Sequence, residues 1–208
     1  MTGSTTPVGT QARGWRRREA LLSAAVELLE SGGLRALSHR AVAERAGVPL
    51  GATTYYFQSR SELAAEAFGR FVDNELDWAR RHVPRFSGQP PDPGRLAGSI
   101  VTAIYPHDEV GTAKLASIYE LCAQAGREPS LRPLLARWTD GLVEIAIETL
   151  RRAGYPHEEW HARLLVALID GLLLEVFEQA PGAAVPRATD TLTHALSLLR
   201  PSHADSAD

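Results

Sequence analysis

The stretch from Leu37 to Leu63, LSHRAVAERAGVPLGATTYYFQSRSEL, restricts the fold more than any other part of the chain. Ser38 is an N-cap residue, and Ala41, Val42 and Ala46 follow it at helical spacing. Small apolar residues there let a second helix cross closely. Gly47 breaks the pattern, because glycine takes a positive φ without steric cost. Val48 can fill the gap between two helices. Pro49 suits the first turn of a second helix, where its missing N–H has no partner to lose. That helix is expected over Pro49 to Phe57, with Thr53, Thr54, Tyr55 and Tyr56 and no acidic residue. Ser59 and Glu62 have capping-box spacing, so a third helix starts near Arg60. Helix, glycine turn and short polar-aromatic helix form the pattern of a helix-turn-helix, whose second helix enters the DNA major groove.

Charge is distributed to match. The chain has 208 residues and a net charge of −3. Residues 1–60 hold eight arginines (13, 16, 17, 18, 35, 40, 45, 60) against four glutamates (19, 27, 30, 44), a balance of +4. The remainder therefore carries −7. A basic end on an acidic body turns that end toward a phosphate backbone.

The motif resembles the N-terminal domain of the tetracycline-repressor (TetR) family of bacterial regulators. The matching residues are Ala43, Ala46, Gly47, Val48, Gly51, Tyr55, Phe57, Arg60, Glu62 and Leu63. The chain departs from that pattern at Pro49, Thr54 and Tyr56, where Ser, an aromatic and His are frequent. The resemblance implies a homodimeric regulator, most often a repressor, that binds a palindromic operator in double-stranded DNA. It also implies a small-molecule effector held in the body of the chain. The DNA contacts expected within the module are Ser38, Arg40, Leu50, Ala52, Thr53, Tyr55, Tyr56 and Arg60, with Arg45 also placed to meet phosphates. Arg16 and Arg17 fit an arm that grips the backbone or the minor groove. With no Lys or Arg between Pro49 and Phe57, no arginine–guanine readout is expected from the second helix itself.

Along the chain, residues 1–14 lack periodicity and are expected to form a disordered tail, as are 201–208. From Arg17 to Ser31, Ala20, Leu21, Ala24, Ala25, Leu28 and Leu29 trace an amphipathic helix that Gly32 and Gly33 should end. This gives a three-helix DNA-binding domain over 15–62 and a second domain over 63–200. The helix from Ser59 runs on to Val83-Pro84 and belongs to both. A loop follows over Pro84 to Gly94, and then helices over Pro93 to Tyr105, Glu109 to Ala125, Pro129 to Ala153, Pro156 to Ala180 and Ala184 to Leu199. No alternating strand pattern of useful length appears, so the fold is expected to be all-α with about nine or ten helices.

Two late helices are unusually apolar, and Leu164 to Phe177 is apolar nearly all round. Such a helix needs cover on several sides, which suggests a four-helix seam with a second copy. The seam is expected at Trp138, Leu142, Ile145, Leu164, Leu168, Gly171 and Leu172. By analogy with the family, an effector pocket is expected to draw on Phe71, Asn74, Trp78, Tyr105, Tyr119, Cys122 and Trp138. One cysteine, no apolar leader and no apolar run long enough to span a membrane point to a cytoplasmic protein. No cofactor is expected, and no enzyme.

A rival reading comes from His157-Glu158-Glu159-Trp160-His161, which satisfies the H-E-x-x-H zinc-hydrolase pattern. It follows Gly154-Tyr155-Pro156 and so falls in a first helical turn, where Glu158 and Glu159 already suit the helix dipole. No third ligand stands at a suitable spacing. A zinc hydrolase using His157, Glu158 and His161 and a helical ligand carrier with a vestigial DNA module are the two alternatives to a regulator.

Overall fold

The structure, a computed structural model, describes residues 8–86, 89–104, 109–177 and 181–199. Among them are nine α-helices, one 3-10 turn and no strand. The helices are α1 (Val8–Ala36), α2 (His39–Arg45), α3 (Leu50–Tyr56), α4 (Arg60–His82), α5 (Pro93–Ile104), α6 (Glu109–Ala125), α7 (Arg132–Arg152), α8 (Glu159–Leu174) and α9 (Pro181–Leu198). The 3-10 turn, Glu175–Phe177, extends α8. No helix among the described residues is long and apolar enough to cross a membrane.

The chain forms two compact units, one of residues 1–73 with 116–135 and one of residues 74–115 with 136–208. They do not follow the expected division at residue 62. Leu63, Ala67, Phe68, Phe71 and Val72 on α4 are all buried and complete the first core, as do Leu121, Ala125 and Leu131. The three helices of the DNA module are too small to bury their own apolar faces, so the compact body extends beyond them.

Within the first unit, α1 buries Leu21, Ala24, Ala25 and Leu29 of the face that the periodicity marks, and Leu22 besides, while Ala20 is exposed and Leu28 half-buried. Its end also follows the sequence. Gly32 (φ −152°) and Gly33 (φ +63°) leave helical geometry, and the chain turns toward α2. The start does not. A tail was expected through residue 14, but residues 8–14 continue α1; the rest of that stretch, 1–7, and the second expected tail, 201–208, lie outside the described residues. Gln11, Ala12 and Arg13 are good helix formers joined to an established helix, and propagation needs no new nucleus. Two ion pairs join α1 to α4. Arg70 Nη1 and Nη2 donate to Glu19 Oε2 and Oε1 at 2.8 and 3.0 Å, and Arg18 pairs with Glu66. The Arg70 bond holds the Glu19 carboxyl below its usual range.

In the second unit, α5 lays Leu96, Ala97, Ile100 and Val101 against α9, which answers with Ala184, Ala188, Leu192 and Leu196. The four-residue spacing on α9 puts one apolar row on one face. Gly141 on α7 meets Leu76 on α4 so closely that a Cβ there would lie 2.6 Å from Leu76 Cδ1. The remaining helix limits differ from expectation by a few residues, with α7 and α8 each starting three residues late.

Candidate nucleic-acid interface

Ser38 caps α2 with extended backbone (φ −147°, ψ 154°), and its Oγ accepts from the Ala41 N–H at 3.1 Å. Val42 and Ala43 face inward. Gly47 turns the chain at φ +64°, where an L side chain would be strained, and the Val48 N–H returns to the Ala43 carbonyl at 3.0 Å. Pro49 is the N-cap of α3 rather than its first helical residue, so α3 spans Leu50–Tyr56. Its ψ of 145° sets the entry angle of the helix. At the far end Ser59 and Glu62 cap α4. The Glu62 N–H donates to Ser59 Oγ at 3.1 Å, and the Glu62 carboxylate accepts from the Gln58 N–H at 2.6 Å.

α3 thus has a buried side and an open side. Phe57, just past its end, is completely buried beneath the Arg18 guanidinium, which sits 5.7 Å from the ring centre. Thr53, one turn earlier, shares that side and is also fully buried, with Oγ1 donating to the Leu50 carbonyl at 2.7 Å. The expectation that Thr53 reads DNA is therefore corrected. It lies four residues before a core phenylalanine, and a helix places both on one face. Its neighbour Thr54 is exposed instead, on the side that carries Leu50, Gly51 and Tyr55. Tyr55 is 80% exposed and Leu50 51%, large apolar surfaces for an isolated chain to leave in water. Ala52 and Tyr56 are half-buried. The Tyr56 ring packs edge-on to Tyr55 at 4.9 Å, and its hydroxyl lies 3.5 Å from where a Cβ on Gly14 would be. The start of α1 therefore runs beside α3.

The expected cations divide in the same way. Arg16, Arg17 and Arg40 are exposed, and Trp15 beside them is 65% exposed. Arg45 is exposed but lies 3.3 Å from Glu27. Arg60 has another task. Its Nε and Nη2 donate to the carbonyls of Leu37 and Leu34 at 2.8 and 2.9 Å, tying the start of α4 to the passage from α1 into α2. The open face thus joins Leu50, Gly51, Thr54 and Tyr55 to a margin of arginines with no acidic side chain on α3 itself.

Comparison with known families agrees with this geometry. The profile described as "Bacterial regulatory proteins, tetR family" matches residues 21–67. The profile described as "Tetracyclin repressor-like, C-terminal domain" matches residues 91–198, just over half of the chain. The chain belongs to the TetR family. Solved TetR-like structures align over most of its length. A transcriptional regulator from Rhodococcus sp. Rha1 is 26% identical, with 87% of this chain and 94% of that one covered at a TM-score of 0.66. The multidrug binding protein EbrR in complex with ethidium is 30% identical, with coverages of 86% and 97% and a TM-score of 0.65. A TetR-family member from Streptomyces coelicolor A3 is 29% identical, with coverages of 86% and 96% and a TM-score of 0.63. No curated protein matches the chain.

The second unit of this TetR-family chain contains an apolar cavity of about 120 Å³. Trp78, Ile100, Ile104, Leu142, Ile145 and Leu165 are among the residues of its wall, and Asp170 adds a carboxylate. The apolar groups packed around that carboxyl disfavour its charge and push its pKa up, although Asp170 is otherwise exposed. His82 stacks on Trp78 with ring centres 4.2 Å apart, and His82 Nδ1 lies 2.8 Å from the Trp78 carbonyl oxygen.

Of the expected pocket residues, Trp78 lines this cavity. Phe71 does not. It is fully buried in the first unit, with its ring centre 6.3 Å from that of Phe68 in a parallel stack. Tyr119 and Cys122 also belong to the first unit, Asn74 faces solvent, and Trp138 is buried in the second unit away from the cavity. Tyr105 lies outside the described residues.

The expected seam divides as well. Trp138 and Leu172 are buried within their own unit, and Leu142 and Ile145 are half-buried and line the cavity. α8 buries Ala162, Leu165 and Leu172 and leaves the opposite side bare. There Trp160, Leu164 and Leu174 are 60%, 52% and 49% exposed, Leu168 is half-buried, and Gly171 has no atom within 4 Å of a Cβ position.

The H-E-x-x-H pattern does not form a metal helix. α8 starts at Glu159, so Glu158 is its N-cap and His157 precedes it, with Nδ1 3.1 Å from the Tyr155 carbonyl oxygen. The two histidines are therefore not one helical turn apart, the arrangement that pattern requires. His161 is buried with Nδ1 2.5 Å from Glu158 Oε2. Among the described residues no group of three His, Cys, Asp or Glu side chains could hold a metal ion.

Proposed function

We propose that two copies of the chain pair through the bare side of α8 and bind a palindromic operator as a cytoplasmic repressor. The open face of α3 carries this reading. Leu50 and Tyr55 offer apolar surface to thymine methyls and sugar edges, and Thr54 offers a hydroxyl. Gly51 presents bare backbone for close approach. Arg16, Arg17 and Arg40 supply the sequence-independent hold on phosphates. Ser38 stands at a helix N-terminus, where its hydroxyl can donate to a phosphate while its lone pair caps α2. A two-fold dimer repeats this face, and two identical faces select a palindrome.

The apolar cavity holds the effector. Its volume of about 120 Å³ takes a group of roughly one aromatic ring, judged by the ~150 Å³ site known to hold benzene. A larger molecule binds only if the walls part, which gives it different affinities for two conformations of the chain. Trp78 and Asp170 favour an aromatic cation, through the face of the indole and the charge of the carboxylate. The ethidium, proflavin and malachite green bound by EbrR are molecules of this kind, which supports the reading. The zinc-hydrolase alternative is not favoured, given the place of His157 outside α8.

Tetraphenylphosphonium, an aromatic cation that does not intercalate, is the probe to use on a labelled operator duplex. Release of the duplex on titration, seen as a fall in fluorescence anisotropy, supports the repressor. Release that persists unchanged in Asp170→Asn and Trp78→Ala variants places the effector elsewhere.

A further inference from the structure

The first unit holds a second pocket of about 320 Å³, within the usual size of small-molecule sites. It draws on three separated segments: the end of α1, the start of α4, and the stretch joining α6 to α7. Three arginines reach it, Arg35, Arg60 and Arg127, and the only carboxylate in its lining is Glu128. Three positive charges against one negative leave +2. Counting Glu120, which binds Arg35 from outside the lining, still leaves +1.

We propose that this pocket binds a small organic oxyanion, a carboxylate or phosphate on a compact apolar body, and that its occupation acts directly on the helix-turn-helix. Guanidinium groups take such oxyanions in paired hydrogen bonds, a geometry an ammonium cannot offer. The chain has a single lysine, so the cations gathered here are all of the fork type. Arg127 is exposed, and its guanidinium has no partner among the described residues. The other two are held by groups that an oxyanion would rival. Arg35 donates Nε and Nη2 to one oxygen of Glu120 at 3.0 and 2.7 Å, an exposed pair of small net strength. Arg60 donates to two neutral carbonyls, and a charged acceptor is the stronger partner. Leu34, Ala64 and Leu131 provide the apolar wall.

The consequence for DNA follows from those two carbonyls. Leu34 and Leu37 belong to the passage from α1 into α2, so an anion that draws Arg60 away loosens the support of the DNA-binding helices. This site is separate from the apolar cavity and does not depend on the ligand proposed there.

The test uses the full-length protein at constant ionic strength, titrated by calorimetry with phenyl phosphate, benzoate and the neutral benzamide. Saturable binding of one phenyl phosphate or benzoate per chain is expected, with no binding of benzamide. The tighter of the two anions identifies the headgroup. Arg127→Gln should weaken binding at least tenfold, Arg127→Lys should weaken it less, and Arg187→Gln on α9 should leave it unchanged. Circular dichroism melts establish that each variant is folded. No saturable binding by the wild type, equal affinity in Arg127→Gln, or equal binding of benzamide would each overturn the proposal. Saturating duplex DNA should weaken anion binding, because the coupling through Arg60 is reciprocal, and an anion affinity unchanged by DNA would overturn the link to the helix-turn-helix.

Discussion

Replacing Gly171 with leucine separates the packing of one chain from the packing proposed between two. Gly171 lies inside α8, exposed, with nothing within 4 Å of a Cβ. For an isolated chain the change should therefore help, since a glycine in a helix interior costs about 0.8–1 kcal/mol against a good helix former. A dimer that closes over this face reverses the sign. A side chain inserted into a packed contact costs roughly 1–3 kcal/mol, and a two-fold axis doubles it to about 2–6 kcal/mol per dimer. The dissociation constant should then rise by about 30-fold to 10⁴-fold. Sedimentation equilibrium over a concentration series reads this constant, while thermal unfolding of dilute protein reads the stability of the single chain. A Gly171→Leu protein that dimerises as tightly as the wild type would refute the seam. A variant that fails to fold even at high dilution would contradict the open space around Gly171.

Three further outcomes are expected. Gly47→Ala should destabilise the protein by about 0.5–1 kcal/mol, because a left-handed φ of +64° costs ~1–2 kcal/mol for an L side chain and the stiffer unfolded chain returns ~0.4–1; a urea midpoint equal to or above that of the wild type would oppose this. Thr53→Val should leave operator affinity within about twofold and cost no more than the ~0.5–1.5 kcal/mol of one internal hydrogen bond, since the hydroxyl never reaches the surface; a large loss of affinity would return Thr53 to the interface. Binding of an aromatic cation should strengthen as pH rises above 3.8 through the raised pKa of Asp170, because the cation favours the ionised carboxylate and its binding releases the proton. Asp170→Asn should flatten that profile, and an unchanged profile in calorimetry would exclude Asp170 from the site.

The helix-turn-helix was legible because its determinants are local. Ser38, Gly47 and the Ser59–Glu62 pair act within a few residues, through capping and backbone freedom, and each does so in the structure. The orientation of α3 could have been read from the same stretch. Phe57 marks the core side, and counting back four residues places Thr53 with it and leaves Thr54 outside. The cavity was not legible. Trp78 stands out as an aromatic residue, but Ile100, Ile145 and Leu165 look like any core positions until three other helices surround them. The arginine pocket was hidden for a similar reason, since Arg35, Arg60 and Arg127 meet only through the fold. The apolar surface of α8 was plain in composition, yet composition alone could not tell the side its own unit covers from the side left bare.

The central claim is that the open face of α3 reads DNA sequence, and selection of purified protein against random duplexes tests it most directly. The selected duplex is then titrated against salt with the wild type and Tyr55→Ala. One palindrome should be enriched, with log affinity falling against log salt by roughly 0.9 for each phosphate held. Tyr55→Ala, altering a side chain that is 80% exposed, should keep the stability of the wild type and its affinity for random DNA, but bind the selected site at least tenfold more weakly. A folded dimer that enriches no sequence, or a Tyr55→Ala protein that binds the selected site as well as the wild type, would contradict it.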